Sequence, residues 1–160
     1  HCPVCRLFGS RLLASHVRFT DAPVHTDQRG DVPPIEVRDG VGIDRDLRVA
    51  RGGLKYDFQV VSPGTRFALE LFVDNPEDWL MGLLVIAFDQ LREGFTALGG
   101  FSSRGLGRVT WRWNELRQAD ARAILAKDDP WTVVTDVRPT FDGYTRALAA
   151  KLEEADHVQA

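Results

Sequence analysis

The stretch from Asn75 to Trp113 constrains the fold most, because it holds the strongest helical period in the chain and dictates what must follow it. Asn75-Pro76 opens the segment, Glu77 and Asp78 place acids in a first turn, where the helix dipole favours them, and Leu80, Leu84, Ala87, Phe88 and Leu91 recur at helical spacing. Gly94 ends the helix. "GGFSSRGLGRV" at residues 99–109 comes next, and then "RVTWRW" sets Val109, Trp111 and Trp113 against Arg108, Thr110 and Arg112, the alternation of a strand. The order is helix, glycine loop, strand.

A loop that grips a nucleotide cofactor has the reverse flanks, with the helix after the glycines so that its free N–H groups face the phosphate. Here the order is wrong, no Gly-Lys-Ser/Thr follows, and the glycines fall at 99, 100, 105 and 107. Two readings remain. The loop is a tight turn between helix and strand, or it is a track along a nucleic-acid backbone. In the second reading Gly99, Gly100 and Gly105 allow close approach, Ser102 and Ser103 donate hydrogen bonds, and Arg104 supplies the charge-assisted one.

The rest of the chain is short strands and helices. Val17 and Phe19 alternate with His16 and Arg18 as a strand, and residues 27–53, rich in Gly, Pro, Asp and Arg, read as an exposed hairpin or arm. Tyr56, Phe58 and Val60 on one side of "SPGT" and Phe67, Leu69 and Leu71 on the other predict a strand pair hinged at that turn. Helices are expected near 114–127 and 141–155, separated by Trp131 to Pro139, with no internal repeat.

Charge bears on the choice between turn and track. The 160 residues carry a net charge of -3, so any nucleic-acid contact must come from a local patch. Of the 20 basic residues 17 are arginines, and Arg38, Arg45, Arg48, Arg51, Arg104, Arg108 and Arg112 fall in two short segments. Arginine forks phosphate better than lysine, although compositional bias yields the same excess. No stretch approaches the ~20 apolar residues of a membrane span and the first twenty residues lack the order of a secretory signal, so the expected location is cytoplasmic with no membrane partner. The only cysteines, Cys2 and Cys5 in "HCPVC", have the spacing of two thiolate zinc ligands and suit a metal better than a disulfide; His1, His16 and His25 are the nearby histidines.

The motifs "CRLFGS", "VRFTDA", "GVGIDR" and "YDFQVV", then the helix, then "GGFSSRGLGRV", resemble in order the RAMP superfamily of CRISPR-associated proteins. They look most like the backbone subunit of type III effector complexes, over about residues 2–115. The resemblance implies an α+β fold: a partial ferredoxin-like (RNA-recognition-motif-like) core over 1–115, with a zinc knuckle at 1–5, an inserted thumb hairpin at 37–55, and a helical C-terminal appendage at 116–160. It implies guide RNA, target RNA and other CRISPR effector subunits as partners. The family's first strand and first helix precede the "RLFG" segment, so the chain reads as cut from something longer, or as completed by a companion chain that supplies the missing N-terminal segment.

In the resembled family the thumb wedges between guide and target bases. Arg38, Arg45, Arg48, Arg51 and Lys55 suit phosphates there, while Ile43, Leu47 and Val49 suit an unstacked base. The alternative is a solvated loop whose apolar residues pack on their own domain. Backbone subunits of this kind cut target RNA with Mg²⁺ through an aspartate placed before this chain begins, so no catalytic residue is assigned. Asp44 and Asp46 in the thumb serve either a metal or solubility. The function expected is an RNA-binding scaffold; the alternatives are an RNA endonuclease subunit whose acid lies upstream or in the thumb, and a zinc-stabilised structural module.

Overall fold

The computed structural model describes residues 2–25, 35–44, 46–126 and 129–159, with side chains described at all of these except 50, 51 and 156–159. Two compact units emerge, one from residues 1–17 with 73–160 and one from residues 18–72. The chain passes from one to the other within β1 (Val17–Phe19) and β4 (Leu71–Val73), which pair as a two-stranded sheet.

The first unit is built on α2 (Asp78–Arg92), where the helical period predicts it. Leu80, Met81, Leu84, Val85 and Phe88 are buried, at spacings that gather them on one face. That face packs on α4 (Arg138–Gln159), which buries Phe141, Tyr144 and Leu148 at positions i, i+3 and i+7. Each such side chain contributes about 1.5–3 kcal/mol when fully buried, so the helix pair holds most of this unit's core. The helices cross closely at Gly82, where a Cβ would sit 2.9 Å from the Leu148 Cβ and closer still to the Tyr144 carbonyl oxygen.

Trp111 and Trp113 cap the helix pair. Phe88 stacks on Trp111 with ring centroids 4.5 Å apart and meets Trp113 edge-on at 5.1 Å, and Trp113 meets Phe141 edge-on at 5.0 Å. The alternation predicted for "RVTWRW" therefore does turn both tryptophans the same way, but the segment pairs with no strand: residues 106–115 have no regular secondary structure. What fixes it is aromatic packing against α2 and α4, worth about 0.5–1.5 kcal/mol per ring pair beyond burial.

Residues beyond 115 also differ from expectation. Leu116–Ala119 is a strand, β5, not the start of a helix, and it pairs antiparallel with β6 (Trp131–Val134), which lies in the predicted linker. Asp120 explains the break, since its Oδ1 accepts the Arg122 N–H at 2.6 Å and starts the short α3 (Ala121–Ala126) after the strand. "WTVV" is a β-former by composition, aromatic and β-branched. The appendage thus mixes strands with its helices.

At the N-terminus the residues of the predicted knuckle run into a short helix, α1 (Pro3–Phe8). Pro3 fits the first helical position and Cys2 caps it, accepting the Cys5 N–H on Sγ at 3.2 Å. Leu7 is fully buried; its carbonyl accepts the His16 N–H at 3.0 Å, and the His16 carbonyl accepts the Asp74 N–H at 2.9 Å.

The second unit is dominated by a long hairpin, β2 (Ile35–Asp44) against β3 (Val49–Val61). Its register runs from Ile35 opposite Val61 to Val41 opposite Lys55, slips, and resumes with Ile43 opposite Ala50 and Asp44 opposite Val49. The strand pair predicted across "SPGT" is not made. The turn itself forms, with Thr65 donating through both N–H and Oγ1 to the Ser62 carbonyl at 3.2 and 2.8 Å. Yet β3 pairs with β2, while residues 66–70 bond to 20–25: Thr20 N–H to Glu70 O, Ala68 N–H to Pro23 O, and His25 N–H to Arg66 O. A turn signal says that the chain reverses; it does not say which edge the returning strand will find. Among the described residues no helix is long and apolar enough to cross a membrane.

Candidate nucleic-acid interface

The glycine loop is a closed excursion. At its neck the Leu98 N–H donates to the Gly107 carbonyl at 2.9 Å, and Gly107 is irreplaceable there: its φ is 83° and a Cβ would drive into the Leu98 carbonyl. Inside, Phe101 adopts the left-handed conformation, and its carbonyl accepts the Arg104 N–H at 2.8 Å. Ser102–Arg104 form one 3₁₀ turn, closed by Gly105 N–H on the Ser102 carbonyl at 3.0 Å. The Arg104 guanidinium lies over the Phe101 ring, 5.0 Å from its centroid.

All residues from 99 to 105 are exposed. A Cβ on Gly99, Gly100 or Gly105 would meet nothing within 4 Å. Gly99 and Gly105 have φ of 81° and 82°, which a tight turn alone explains, but Gly100 is not among the positive-φ glycines. Neither conformation nor packing within the chain calls for glycine at 100. The turn reading accounts for 99, 105 and 107; open space over 100, between exposed serines and an aromatic-backed arginine, fits the track reading. Phe101 joins the candidate surface through its contact with Arg104, and the sequence reading leaves it out, although an aromatic between Gly-Gly and Ser-Ser-Arg is the interleaving that nucleic-acid surfaces use.

The second cluster lies on the hairpin. Arg38 stands opposite Phe58 and pairs with Glu36 at 3.4 Å, and Lys55 pairs with Asp39 at 3.2 Å. Both pairs are exposed, so each contributes little and is open to exchange for a phosphate. At the tip Arg48 holds a φ of 54° and is exposed. Ile43, Leu47 and Val49 are 67%, 72% and 54% exposed, so these apolar residues do not pack on their own unit. Arg45 and His1 lie outside the described residues, and so does the side chain of Arg51. Asp44 shapes the hairpin tip, where its Oδ1 accepts the N–H groups of Asp46 and Leu47 at 3.0 and 3.1 Å and so forms the turn. Asp39 and Asp57 face each other across the ladder. Lys55, then Asp57 as hydrogen-bond partner, holds the Asp39 carboxyl below the usual range, and the opposed Asp39 raises that of Asp57.

Cys2 and Cys5 are both free thiols, the first exposed and the second half-buried, with Sγ atoms 2.9 Å apart. The hydrogen bonds from Cys5 favour the Cys2 thiolate and lower its pKa, while the same contact raises that of Cys5. Among the described residues no group of three or more His, Cys, Asp or Glu side chains could hold a metal ion. His16 is turned to the Asp74 carbonyl, with Nδ1 at 2.7 Å.

The family model described as the RAMP superfamily matches residues 1–110, from the cysteine pair through the glycine loop. No curated protein matches the chain.

Proposed function

The chain belongs to the RAMP superfamily, and from that premise we propose that it is an RNA-binding backbone subunit of a type III CRISPR effector complex, holding guide RNA and positioning target RNA in antiviral defence. CRISPR-linked RNA binding is what the family suggests; the type III backbone role is the reading that the ordered motifs and the two exposed clusters support. The observation that carries the proposal is the open space over Gly100, flanked by Ser102, Ser103 and Arg104.

A guide phosphate placed over Gly99 and Gly100 takes hydrogen bonds from the Ser102 and Ser103 hydroxyls and a forked one from Arg104, whose plane is backed by the Phe101 ring. These contacts position RNA without reading its sequence. The thumb acts separately: Ile43, Leu47 and Val49 press on an unstacked base while Arg48 and Lys55 meet phosphates. Cys2 and Cys5 serve as two ligands of a structural zinc, completed from beyond the described residues. Target cleavage with Mg²⁺ gains no support from Asp44, whose carboxylate is occupied with the hairpin turn.

The test is RNA affinity against salt concentration for the protein assembled with guide RNA. Arg104→Ala lowers the magnitude of the salt slope by about one and weakens all sequences alike. Gly100→Val leaves the thermal transition in place and weakens RNA binding, because the side chain occupies the phosphate's space. Unchanged affinity and slope in both variants leave the loop as a plain turn and overturn the proposal.

A further inference from the structure

A cavity of about 280 Å³ opens beside α1, lined by Arg6, Leu13, Ala14 and His16, away from the glycine loop and the hairpin. That volume sits at the small end of ligand sites, which start near 300 Å³, and suits one small planar group. Its walls are held from several sides. The His16 N–H donates to the Leu7 carbonyl at 3.0 Å, the His16 carbonyl accepts the Asp74 N–H at 2.9 Å, and the turn ahead of it closes through the Ser10 N–H on the Leu13 carbonyl at 2.9 Å. Glu77 fixes Arg6: one carboxylate oxygen accepts from Arg6 Nη2, the other accepts the Trp79 Nε1–H at 2.8 Å, and the guanidinium lies over the Trp79 ring, 5.1 Å from its centroid.

The two polar walls have opposite hydrogen-bonding sense. His16 Nδ1 lies 2.7 Å from the Asp74 carbonyl oxygen, which can only accept, so Nδ1 carries the proton and Nε2 of the neutral ring offers a lone pair. Arg6 can only donate, and among the described residues Glu77 engages its Nη2, which leaves Nε and Nη1. Leu13 and Ala14 supply the apolar wall. A phosphate fits poorly here, because Glu77 already balances the Arg6 charge and the Nε2 lone pair repels an anion. A flat, neutral group with a carbonyl beside an N–H fits both polar walls.

We propose that this cavity takes one unstacked base of a single-stranded RNA, uracil or guanine, by its Watson–Crick edge. The base carbonyl accepts from Arg6, the neighbouring ring N–H donates to His16 Nε2, and the ring face lies against Leu13 and Ala14. Cytosine and adenine place a bare ring nitrogen where this edge needs an N–H. The site therefore reads base identity, whereas the glycine loop positions a phosphate without reading sequence. The choice of RNA as ligand rests on the RNA-binding reading above; the choice of edge rests on the cavity.

The experiment titrates uridine, 3-methyluridine and inorganic phosphate into the isotope-labelled full chain and follows the Ala14 amide and the His16 ring nitrogens by NMR. Uridine should move both signals and saturate. In 3-methyluridine the ring N–H is replaced, and binding should weaken about tenfold, the loss of one hydrogen bond to a group left unpaired. His16→Asn keeps a side-chain N–H for the Asp74 carbonyl but has no acceptor at the Nε2 position; it should weaken uridine about tenfold, read at the Ala14 amide, with the thermal transition in place. Uridine carries no phosphate, so its binding does not depend on the glycine loop. Uridine that moves neither signal while RNA affinity still responds to Arg104→Ala overturns the cavity site and leaves the loop reading standing; uridine binding with an unresponsive salt slope does the reverse. Phosphate that moves both signals where uridine does not, or 3-methyluridine that binds as tightly as uridine, also overturns the proposal.

Discussion

Two glycines inside helices, Gly82 in α2 and Gly143 in α4, should respond oppositely to the same substitution. On intrinsic propensity alone, Gly→Ala in a helix interior stabilises by about 1 kcal/mol. Gly143 meets nothing within 4 Å of an added Cβ, so Gly143→Ala should realise most of that gain, about 0.5–1 kcal/mol. At Gly82 the added methyl would lie 2.9 Å from the Leu148 Cβ and nearer still to a backbone oxygen of Tyr144, where ordinary contact starts near 3.4 Å. The Tyr144 carbonyl belongs to a helix backbone and cannot rotate away, so the helices must separate and loosen the packing of Leu80, Leu84, Tyr144 and Leu148. Overpacking of this kind costs about 1–3 kcal/mol, and because part is offset by the propensity gain, Gly82→Ala should destabilise by a net ~1–2 kcal/mol. For a chain of 160 residues each kcal/mol moves Tm by about 2–4 °C. Thermal unfolding of the full chain followed by tryptophan fluorescence reads both variants, because Trp111 and Trp113 cap the helix pair. A Gly82→Ala protein as stable as wild type, or more so, would refute the close crossing.

Phe88→Ala should cost about 3–5 kcal/mol and shift tryptophan emission to the red, since it removes the ring against which Trp111 stacks and Trp113 sits edge-on; unchanged emission counts against the aromatic cap. Gly107→Ala should lower both stability and RNA binding by opening the Leu98–Gly107 neck, unlike Gly100→Val, which should lower binding alone; binding retained in Gly107→Ala removes the neck from the site. Asp57→Asn should stabilise the hairpin at neutral pH. The facing Asp39 raises the Asp57 pKa, so ionising Asp57 as pH rises through that window costs stability, a cost that Asn lacks and that vanishes at pH below the ordinary Asp range, where Asp57 is protonated in the folded and the unfolded chain alike. Tm of variant and wild type against pH measures this, and a difference that does not depend on pH refutes the cross-strand repulsion.

Sequence alone determined the elements whose information is local. The period of Leu80, Leu84 and Phe88 sets α2, Gly94 ends it, the glycines at 99, 105 and 107 call for an irregular loop, and the Gly- and Arg-rich run around 37–55 reads as an arm because its apolar residues are too sparse to build a core. Ordered motifs placed the chain in its family for the same reason: they are contiguous strings. Only the tertiary structure decided pairing. Nothing in "RVTWRW" says that its tryptophans cover a helix pair instead of joining a sheet, and the rings that decide it, Phe88 and Phe141, lie on two helices far from it along the chain. Residues 56–60 and 66–71 look like one hairpin locally, but β3 found a longer ladder with β2 and the second run found residues 20–25. At the site itself, sequence supplied Ser102, Ser103 and Arg104, whereas the stacking of Arg104 on Phe101 and the empty space above Gly100 depend on a backbone path closed by one hydrogen bond at Leu98 and Gly107. Propensity is a property of neighbours along the chain; which edge, which face and how close are settled by burial and hydrogen bonds between residues far apart in sequence.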